Sequence, residues 1–354
     1  MSSATSTEHA RLVWARGEPL QPARQGRERP RCLSCVIPAF NEAANLALLL
    51  PQLQALLPAC ADHWEIIVVD DGSRDGTAAL LESWAAEPGL RGLSLSRNFG
   101  KEAALMAGLE AASGDVVLSM DADLQHPPET IPALLRAWRG GAQVVYALRT
   151  DRAGETRVKR WGTRVFYALI NAADRFDVPP GAGDFRLMDR EVVDALLALP
   201  ERNRFMKGLY AWVGFDAVAV PYHVAPRASG KSSFTLRQLT RLSMAGLTAF
   251  TTWPLRAVSV MGVLLAFLSI GYGLYLVGEY FYYGHPISGW TTIVVGLMLL
   301  SGVQLISLGV VGEYVGRIFE EVKGRPLYIV KRAFGQRPED DKIKVYINPF
   351  YARL

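Results

Sequence analysis

The chain has 354 residues, of which 50% are hydrophobic and only 20% are charged. This composition excludes a disordered protein, a collagen-like repeat and a disulfide-stapled miniprotein. The net charge of +4 is too small for the dense basic stripe of a nucleic-acid binder, so no nucleic-acid partner is expected. Three cysteines, Cys32, Cys35 and Cys60, give no disulfide framework, and the C-x-x-C spacing of the first two lacks the second ligand pair of a zinc site.

In chain order, residues 1–32 combine six arginines with three prolines, which predicts a disordered N-terminal tail without a targeting signal. Residues 33–150 alternate short apolar runs with segments of helical spacing, which predicts a mainly parallel, doubly wound α/β sheet. We predict strands at 33–38, 65–69, 93–96, 115–120 and 143–147, and helices at 42–57, 75–86, 101–112 and 129–139. Such sheets bind ligands at the carboxyl ends of their strands, so one site is expected there.

Two later windows, 257–278 and 290–312, contain no charged residue. At ~1.5 Å per residue each would span about 33 Å, against a hydrocarbon core of about 30 Å. We therefore predict transmembrane helices over 255–283 and 288–315. Residues 231–254 place apolar and basic side chains on opposite faces and predict an amphipathic helix at the membrane interface.

Basic residues flank the two predicted spans on one side of the membrane only. The loop 279–289 contains no Lys or Arg, whereas Arg256 precedes the first charge-free window and Arg317 and Lys323 follow the second. The positive-inside rule then predicts a multi-pass protein of the inner (cytoplasmic) membrane whose catalytic domain and termini are cytoplasmic. Residues 316–354 are accordingly predicted to form a cytoplasmic C-terminal tail.

The segment 121–125 (D-A-D-L-Q) directly follows a predicted apolar strand. Asp121 and Asp123 can turn toward one point, and no basic residue stands beside them in the sequence, so a cation is expected to balance them. Carboxylate oxygens, with the amide oxygen of Gln125, favour Mg²⁺ or Mn²⁺, ions that bridge to ligand phosphates. His126 is expected to lie outside the ligand set or at the surface.

A second strand-end segment, 70–77, reads D-D-G-S-R-D-G-T. Its first carboxylate, Asp70, is suited to accept a hydrogen bond from a nucleotide base, while Asp75 is expected only to cap the next helix. The chain lacks G-x-x-x-x-G-K-[ST] and has no G-x-G-x-x-G after its first strand. These absences argue against a P-loop kinase and a nicotinamide dehydrogenase.

Six motifs follow one another in the chain: 36–42 (V-I-P-A-F-N-E), 70–77, 97–101 (R-N-F-G-K), 121–125, 183–187 (G-D-F-R-L) and 227–232 (R-A-S-G-K-S). Together they resemble inverting family 2 glycosyltransferases of the GT-A fold. With the two apolar windows, the pattern over 33–334 resembles the polyprenyl-phosphate glycosyltransferases. These include the dolichol-phosphate mannose synthases and the undecaprenyl-phosphate glucosyltransferases of O-antigen modification. The resemblance assigns 33–230 to the GT-A domain.

The resemblance also implies roles for individual residues. A nucleotide-sugar pocket would be lined by Pro38, Ala39, Glu42, Asp70, Lys101, Asp121 and Ala122. The metal, and through it the donor diphosphate, would be held by Asp121, Asp123 and Gln125. The acceptor phosphate would meet Arg149, Lys159, Arg160, Thr163 and Lys231. The catalytic set would comprise Asp121, Asp123, Asp184 and Arg227.

The implied reaction moves a sugar, UDP-glucose being the first choice of donor, to a polyprenyl (undecaprenyl) phosphate. That acceptor is largely anionic near neutral pH, so Asp184 is expected to orient rather than deprotonate it. Other UDP-sugars and GDP-mannose stay open as donors. The resemblance also implies a homo-oligomer, with a tetramer as one option.

Two alternatives remain. A processive polysaccharide synthase shares the acidic motifs, but usually adds further spans and a Q-x-x-R-W motif. Here Arg157 occupies the position of its glutamine. A non-catalytic lipid-binding scaffold would have no use for two converging carboxylates.

Overall fold

The computed structural model describes residues 27–149, 182–202, 204–222, 253–283 and 289–335. Its centre is one eight-stranded sheet with strand order β7-β5-β6-β4-β1-β2-β3-β8. The strands are β1 Cys32–Ala39, β2 His63–Asp70, β3 Leu90–Leu95, β4 Val116–Ser119, β5 Val144–Arg149, β6 Ala182–Asp189, β7 Ala217–Tyr222 and β8 Val330–Phe334. The helices are α1 Ala43–Leu56, α2 Thr77–Ser83, α3 Lys101–Ala111, α4 Ile131–Arg139, α5 Arg190–Ala198, α6 Met206–Trp212, α7 Trp253–Tyr283 and α8 Trp290–Lys323.

The sheet is mostly parallel, as predicted. Strand β1 pairs in parallel with β2 and β4, β2 pairs in parallel with β3, and β5 pairs in parallel with β7. Strand β6 lies antiparallel between β4 and β5, and β8 lies antiparallel to β3. This mixed, mainly parallel arrangement is the GT-A form of the Rossmann-like sheet.

Buried apolar side chains cover both faces of the sheet. On one face, Leu46 and Leu50 of α1 pack with Ile37 of β1. On the other face, Leu105 of α3 packs with Val36. Strands that are buried on both faces carry continuous apolar runs, which is why the central strands were readable from the sequence. Helix α3 approaches the sheet so closely that a Cβ at Gly108 would collide with the Val36 side chain.

The two long helices α7 and α8 are apolar enough to cross a membrane over 257–282 and 293–323, and none of either apolar window is buried within the chain. The predicted interfacial helix lies outside the described residues except for its last two positions. The loop between α7 and α8 is described only at Gly289.

The structure describes the first part of the segment 316–354, which the sequence assigned to the C-terminal tail. Helix α8 continues to Lys323, and Gly324 ends it in the left-handed conformation with φ 68°. The chain then returns to the sheet, where Ile329 accepts a hydrogen bond from Ser96 N–H (2.9 Å) and β8 pairs with β3. Strand β8 supplies the hydrogen-bonding partners that the edge of β3 would otherwise lack.

Residues 27–32, the last part of the predicted N-terminal tail, lie within the described structure. Arg27 lies against the domain, where its guanidinium is 2.8 Å from the Asp189 carboxylate and stacks over Trp138. Strand β1 starts at Cys32 and contains both Cys32 and Cys35. All three cysteines are free thiols.

Candidate active site

The site lies at the carboxyl ends of β1, β2 and β4, where a parallel sheet collects its ligands. Ala39 and Asp70, the last residues of β1 and β2, are register partners. Ser119, the last residue of β4, pairs with Val36 on one side and with Arg186 of β6 on the other. Segments that are distant in sequence thus enter one edge of the sheet together.

The loops after β1 and β2 are joined by side-chain hydrogen bonds. Asn41 donates its backbone N–H to Ser73 Oγ and accepts from Arg74 N–H through Oδ1, both at 2.8 Å. Asp75 accepts from Thr77 N–H (2.9 Å) and from Ala43 N–H (3.2 Å), at the first residues of α2 and α1. Burial raises the pKa of Asp75, but these hydrogen bonds outweigh it and hold the pKa below its usual value. The expected capping role of Asp75 is confirmed, and it extends to both helices.

Asp70, the last residue of β2, and Asp71, directly after it, make different hydrogen bonds. Asp70 is 2% exposed, and its carboxylate accepts from Ser73 N–H and Ser94 O–H, both at 2.9 Å. Asp71 accepts from the N–H groups of Phe99 (2.7 Å) and Gly100 (2.8 Å). Burial raises the pKa of Asp71 despite these bonds. Asp71 therefore fixes the loop leading into α3, a role that the sequence did not reveal.

The remaining residues assigned to the nucleotide pocket lie along the same edge. Ala39 and Ala122 are almost fully buried, with exposures of 4% and 3%. Glu42 donates its N–H to Thr77 Oγ1 (3.2 Å), and its carboxylate accepts from Asn45 Nδ2. Pro38 is the register partner of Val69. The fold brings these residues to one edge, as expected of a common pocket.

The acidic segment 121–125 forms a tight turn. Leu124 has a positive φ of 60°, and Gln125 N–H donates to Asp123 Oδ1 (3.2 Å). Asp121 N–H donates to His126 Nδ1 (3.1 Å), so this nitrogen carries no proton. Contrary to a surface position, His126 is 8% exposed and stacks on Phe185 with ring centroids 4.7 Å apart. Burial lowers the pKa of His126, which suits its task of holding the turn as a neutral ring.

A basic residue does stand beside these carboxylates, contrary to the sequence expectation. Lys101 Nζ is 2.7 Å from Asp121 Oδ1 and 2.7 Å from Asp184 Oδ2. Burial alone lowers the pKa of Lys101, but Asp184 and Asp121 outweigh it and raise the pKa above its ordinary value. The pairing was invisible in sequence because Lys101 begins α3 whereas its partners follow β4 and lie in β6.

Asp184 is ion-paired through one of its oxygens. Burial raises its pKa, but the Lys101 ammonium group, helped by the charges of Lys207 and Arg186, outweighs that effect and keeps the pKa below its usual value. Within the described residues, its other oxygen, Oδ1, is buried and has no hydrogen-bond partner. Nearby, burial and the Asp184 charge raise the pKa of Glu102 to about 8. Arg186 donates to Gly183 O (2.9 Å) and stacks over the Tyr210 ring at 3.5 Å, which supports β6 from below.

Arg149, predicted to bind the acceptor phosphate, ends β5 as the register partner of Tyr222, the last residue of β7. The Tyr222 ring packs edge-on against His126 and Phe185, with centroids 6.0 and 5.9 Å away. Burial raises the pKa of Tyr222, while Arg149 lowers it and the two motif aspartates raise it. Arg149 and the acidic turn therefore act on one side chain. The predicted Lys159, Arg160, Thr163, Arg227 and Lys231 lie outside the described residues.

The oxygen atoms of the acidic turn are suitable ligands for a hard divalent cation. Asp121 has a side chain that is 29% exposed, and the turn adds the carboxylate of Asp123 and the amide oxygen of Gln125. Within the described part of the chain, no group of three His, Cys, Asp or Glu residues converges on one point. Mg²⁺ typically takes one or two carboxylates and completes its shell with waters and substrate phosphates. Asp121, Asp123 and Gln125 fit that mode and do not form a closed structural site.

Comparisons with known proteins show the family to which the chain belongs. Residues 34–197 match the family "Glycosyl transferase family 2". A glycosyltransferase of Synechocystis sp. is 43% identical, covering 86% of this chain and 96% of that protein. The bactoprenol glucosyl transferase of Shigella phage SfV is 42% identical, covering 84% of this chain and 98% of that protein. The SfII prophage-derived bactoprenol glucosyl transferase of Shigella flexneri is 41% identical, covering 86% and 99%.

Solved structures resemble the chain more distantly. Glucosyl-3-phosphoglycerate synthase from Mycobacterium tuberculosis, in complex with Mn²⁺ and UDP, is 25% identical over 62% of this chain and 78% of that one, with a TM-score of 0.46. The mannosyltransferase from Pyrobaculum calidifontis is 20% identical over 85% and 93%, also with a TM-score of 0.46. On the similarity of its full-length relatives and the family match, the chain is an enzyme that belongs to glycosyltransferase family 2.

Proposed function

We propose that the protein is a membrane-bound inverting glycosyltransferase that moves glucose from UDP-glucose to undecaprenyl phosphate. The product, a polyprenyl-phosphate sugar, would serve cell-envelope glycan modification such as that of O-antigen. The observation that carries this proposal is the convergence of the acidic turn, Lys101 and Asp184 at one sheet edge, in a chain with two long, unburied apolar helices. Three relatives of nearly full length are named for glucosyl transfer to bactoprenol, which is undecaprenol.

The donor side binds the nucleotide sugar. Pro38, Ala39, Glu42 and Asp70 receive the base and ribose, and Asp70 is already oriented by Ser73 and Ser94. When bound, a Mg²⁺ or Mn²⁺ ion at Asp121, Asp123 and Gln125 supplies positive charge against the departing diphosphate. Lys101 adds a second positive charge beside that position.

The acceptor side must bring a phosphate monoester to an anionic donor. Arg149 contributes one cation there, and Lys159 or Arg160, Thr163, Arg227 and Lys231 complete the proposed set. Because the phosphate oxygen is already ionised near neutral pH, attack on the anomeric carbon needs no strong base. Asp184, ion-paired with Lys101, is therefore assigned to orientation. In-line attack forms the new bond opposite the leaving UDP and inverts the anomeric centre.

The membrane delivers the acceptor. Helices α7 and α8 anchor the domain in the inner membrane with both termini in the cytoplasm, where the sugar nucleotide is found. The isoprenoid chain of the acceptor stays in the bilayer while its phosphate meets the basic residues at the surface. Assembly into a homo-oligomer stays a prediction.

The test uses the full chain purified into lipid nanodiscs. UDP release from UDP-glucose should require both undecaprenyl phosphate and Mg²⁺ or Mn²⁺, and should yield a single-sugar lipid product. A processive synthase would give a longer glycan, and a scaffold would release no UDP. Parallel reactions with UDP-N-acetylglucosamine, UDP-galactose and GDP-mannose decide the donor.

The matched variant is Asp123→Asn, which keeps the size of the side chain and removes its charge. Loss of one strong electrostatic contact with the developing charge should lower the rate by about 10²–10³-fold. Undiminished turnover by this variant, or by the wild-type enzyme in excess EDTA, would contradict the metal assignment.

A further inference from the structure

The backbone that leads into Lys101 is held in place by hydrogen bonds and by close packing against a neighbouring loop. It is the first residue of α3, directly after Gly100, which has a φ of 102°. Asp71 holds that entry by accepting the N–H groups of Phe99 and Gly100. A Cβ at Gly72 would collide with the backbone of Arg97, so the neighbouring loop packs against this one. The start of the Lys101 side chain is thereby fixed relative to β2.

The far end of the same side chain joins two carboxylates from different elements. Lys101 Nζ lies 2.7 Å from Asp121, after β4, and 2.7 Å from Asp184, in β6. Among the residues that the structure describes, Asp184 Oδ1 is buried without a hydrogen-bond partner, while Oδ2 is ion-paired with the ammonium group. The ammonium group occupies one oxygen of a carboxylate that the proposed metal would also use.

We propose that Lys101 is a positioning residue that exchanges partners during the reaction. Before the donor binds, its ammonium group holds Asp121 beside Asp184. When the divalent cation and the diphosphate bind, the ammonium group leaves Asp121 for a diphosphate oxygen and keeps its contact with Asp184. The inference rests on the proposed metal-dependent transfer and deepens it.

Two properties of Lys101 support this exchange of partners: the positive charge of its ammonium group and the flexibility of its side chain. An ammonium group and a divalent cation on one carboxylate repel each other, so Lys101 opposes binding of the metal alone. A diphosphate brings new negative charge next to the same point and gives the ammonium group another partner. A lysine has a flexible stem with a compact charge, so it can move between partners without moving α3. Because Lys101 keeps its contact with Asp184, the Asp184 carboxylate would reach its final orientation only when the nucleotide sugar is bound.

The test compares Lys101→Met with wild type in the full chain in nanodiscs, using two binding measurements that need no turnover. Mn²⁺ binding without nucleotide is followed by electron paramagnetic resonance, and UDP binding at saturating Mn²⁺ is followed by calorimetry. We expect Lys101→Met to bind Mn²⁺ alone about tenfold more tightly and UDP about tenfold more weakly, the scale of one charged contact. Lys101→Arg, which keeps the charge, should restore UDP affinity. The charge-matched control Lys331→Met, on the exposed strand β8, should change neither.

The opposite signs of the two effects distinguish an exchange from a static ion pair. If Lys101→Met leaves Mn²⁺ affinity unchanged, or weakens both ligands together, the inference is overturned. Lys101→Gln, which keeps a hydrogen-bond donor without charge, repeats the measurement if the Met variant does not fold. Absence of Mn²⁺ binding by both wild type and Lys101→Met, with and without UDP, would overturn the exchange together with the metal site. Expected binding shifts without transfer to undecaprenyl phosphate would support the exchange and contradict only the proposed acceptor.

Discussion

The sheet edge that carries the candidate site differs from the two long helices in the contacts its side chains make within the chain. At the sheet edge, Asp70, Asp71 and Asp75 are each held by hydrogen bonds from within the chain. Along the helices, large apolar side chains face outward, and Leu268 of α7 and Met298 of α8 are 69% and 72% exposed. An exposed apolar surface of this size is typical of a region that contacts a membrane or another protein. The sheet edge is therefore organised by hydrogen bonds within the chain, whereas the apolar windows of the two helices are not buried within it.

Besides the covalent backbone, hydrogen bonds connect the second long helix to the domain that contains the sheet. Arg202 N–H donates to Glu321 of α8 at 2.8 Å, and Tyr328, just beyond that helix, hydrogen-bonds to Glu110 of α3. Strand β8 then joins the sheet. The end of the second apolar helix is thus tied by hydrogen bonds to the domain that carries the candidate site.

The largest expected effect is an all-or-none difference in labelling across the membrane. Gly284→Cys, in the loop between the two helices, should react with an impermeant thiol reagent added to intact cells. Lys331→Cys, on β8, should react only after the cells are opened, because the positive-inside rule keeps that side cytoplasmic. The reversed pattern would separate the site from the sugar-nucleotide pool and break the proposed function.

A second prediction compares one leucine from each region. Leu118 of β4 is fully buried, so Leu118→Ala should lower the free energy of unfolding by about 2–5 kcal/mol. Leu268→Ala removes the same atoms from a lipid-facing surface and should cost about 0.5 kcal/mol or less. Thermal unfolding in nanodiscs measures both. Equal losses would mean that α7 packs against protein and would remove the contrast.

The sequence predicted the central strands of the sheet but not the edge strand β8, and burial explains the difference. The central strands were predicted because both of their faces are buried and their apolar runs are unbroken. Strand β8 was missed because V-K-R-A-F contains two basic residues and is short, as suits an edge strand. Its partner β3 lies far away in the sequence, and such pairing leaves no local pattern. Helix α8 continues beyond the predicted span 288–315 to Lys323, and Glu313 and Arg317 form an ion pair within it.

The candidate site was predictable where it depends on strand ends and not where it depends on tertiary contacts. Asp121, Asp123 and Asp70 were found because carboxylates directly after apolar strands are exposed to a common edge. The bridging position of Lys101 and the support of the turn by His126 arise from packing between elements. A lysine after a glycine at a helix start and a histidine after the acidic turn were visible signals, but neither specifies its partner.

A third prediction separates donor from acceptor residues. Arg149→Ala should raise the KM for undecaprenyl phosphate by about ten- to a hundredfold, the scale of one charged hydrogen bond. Its affinity for UDP should change little. Asp70→Asn should show the reverse, and it is preferred to an alanine substitution because the buried Asp70 accepts two hydrogen bonds.

Both titrations are carried out on both variants. If Arg149→Ala loses UDP affinity as strongly as Asp70→Asn, with no change toward the lipid, Arg149 belongs to the donor diphosphate. The acceptor pocket would then have to be sought elsewhere on the sheet edge.

The smallest effect is expected at Asp75, which joins the loops after β1 and β2. Asp75→Ala removes acceptors for Thr77 N–H and Ala43 N–H and should lower stability by about 1 kcal/mol, or roughly 2–4 °C in Tm. The hydrogen bonds hold the folded pKa of Asp75 below its unfolded value. The stabilisation is therefore present above the ordinary Asp pKa of about 3.9 and is lost as the pH falls through the folded value. The Tm difference between wild type and variant should vanish in that acidic range, whereas Glu82→Ala, on the exposed side of α2, should show no such dependence. A difference that persists unchanged in acid would mean that Asp75 acts through packing rather than as a charged acceptor.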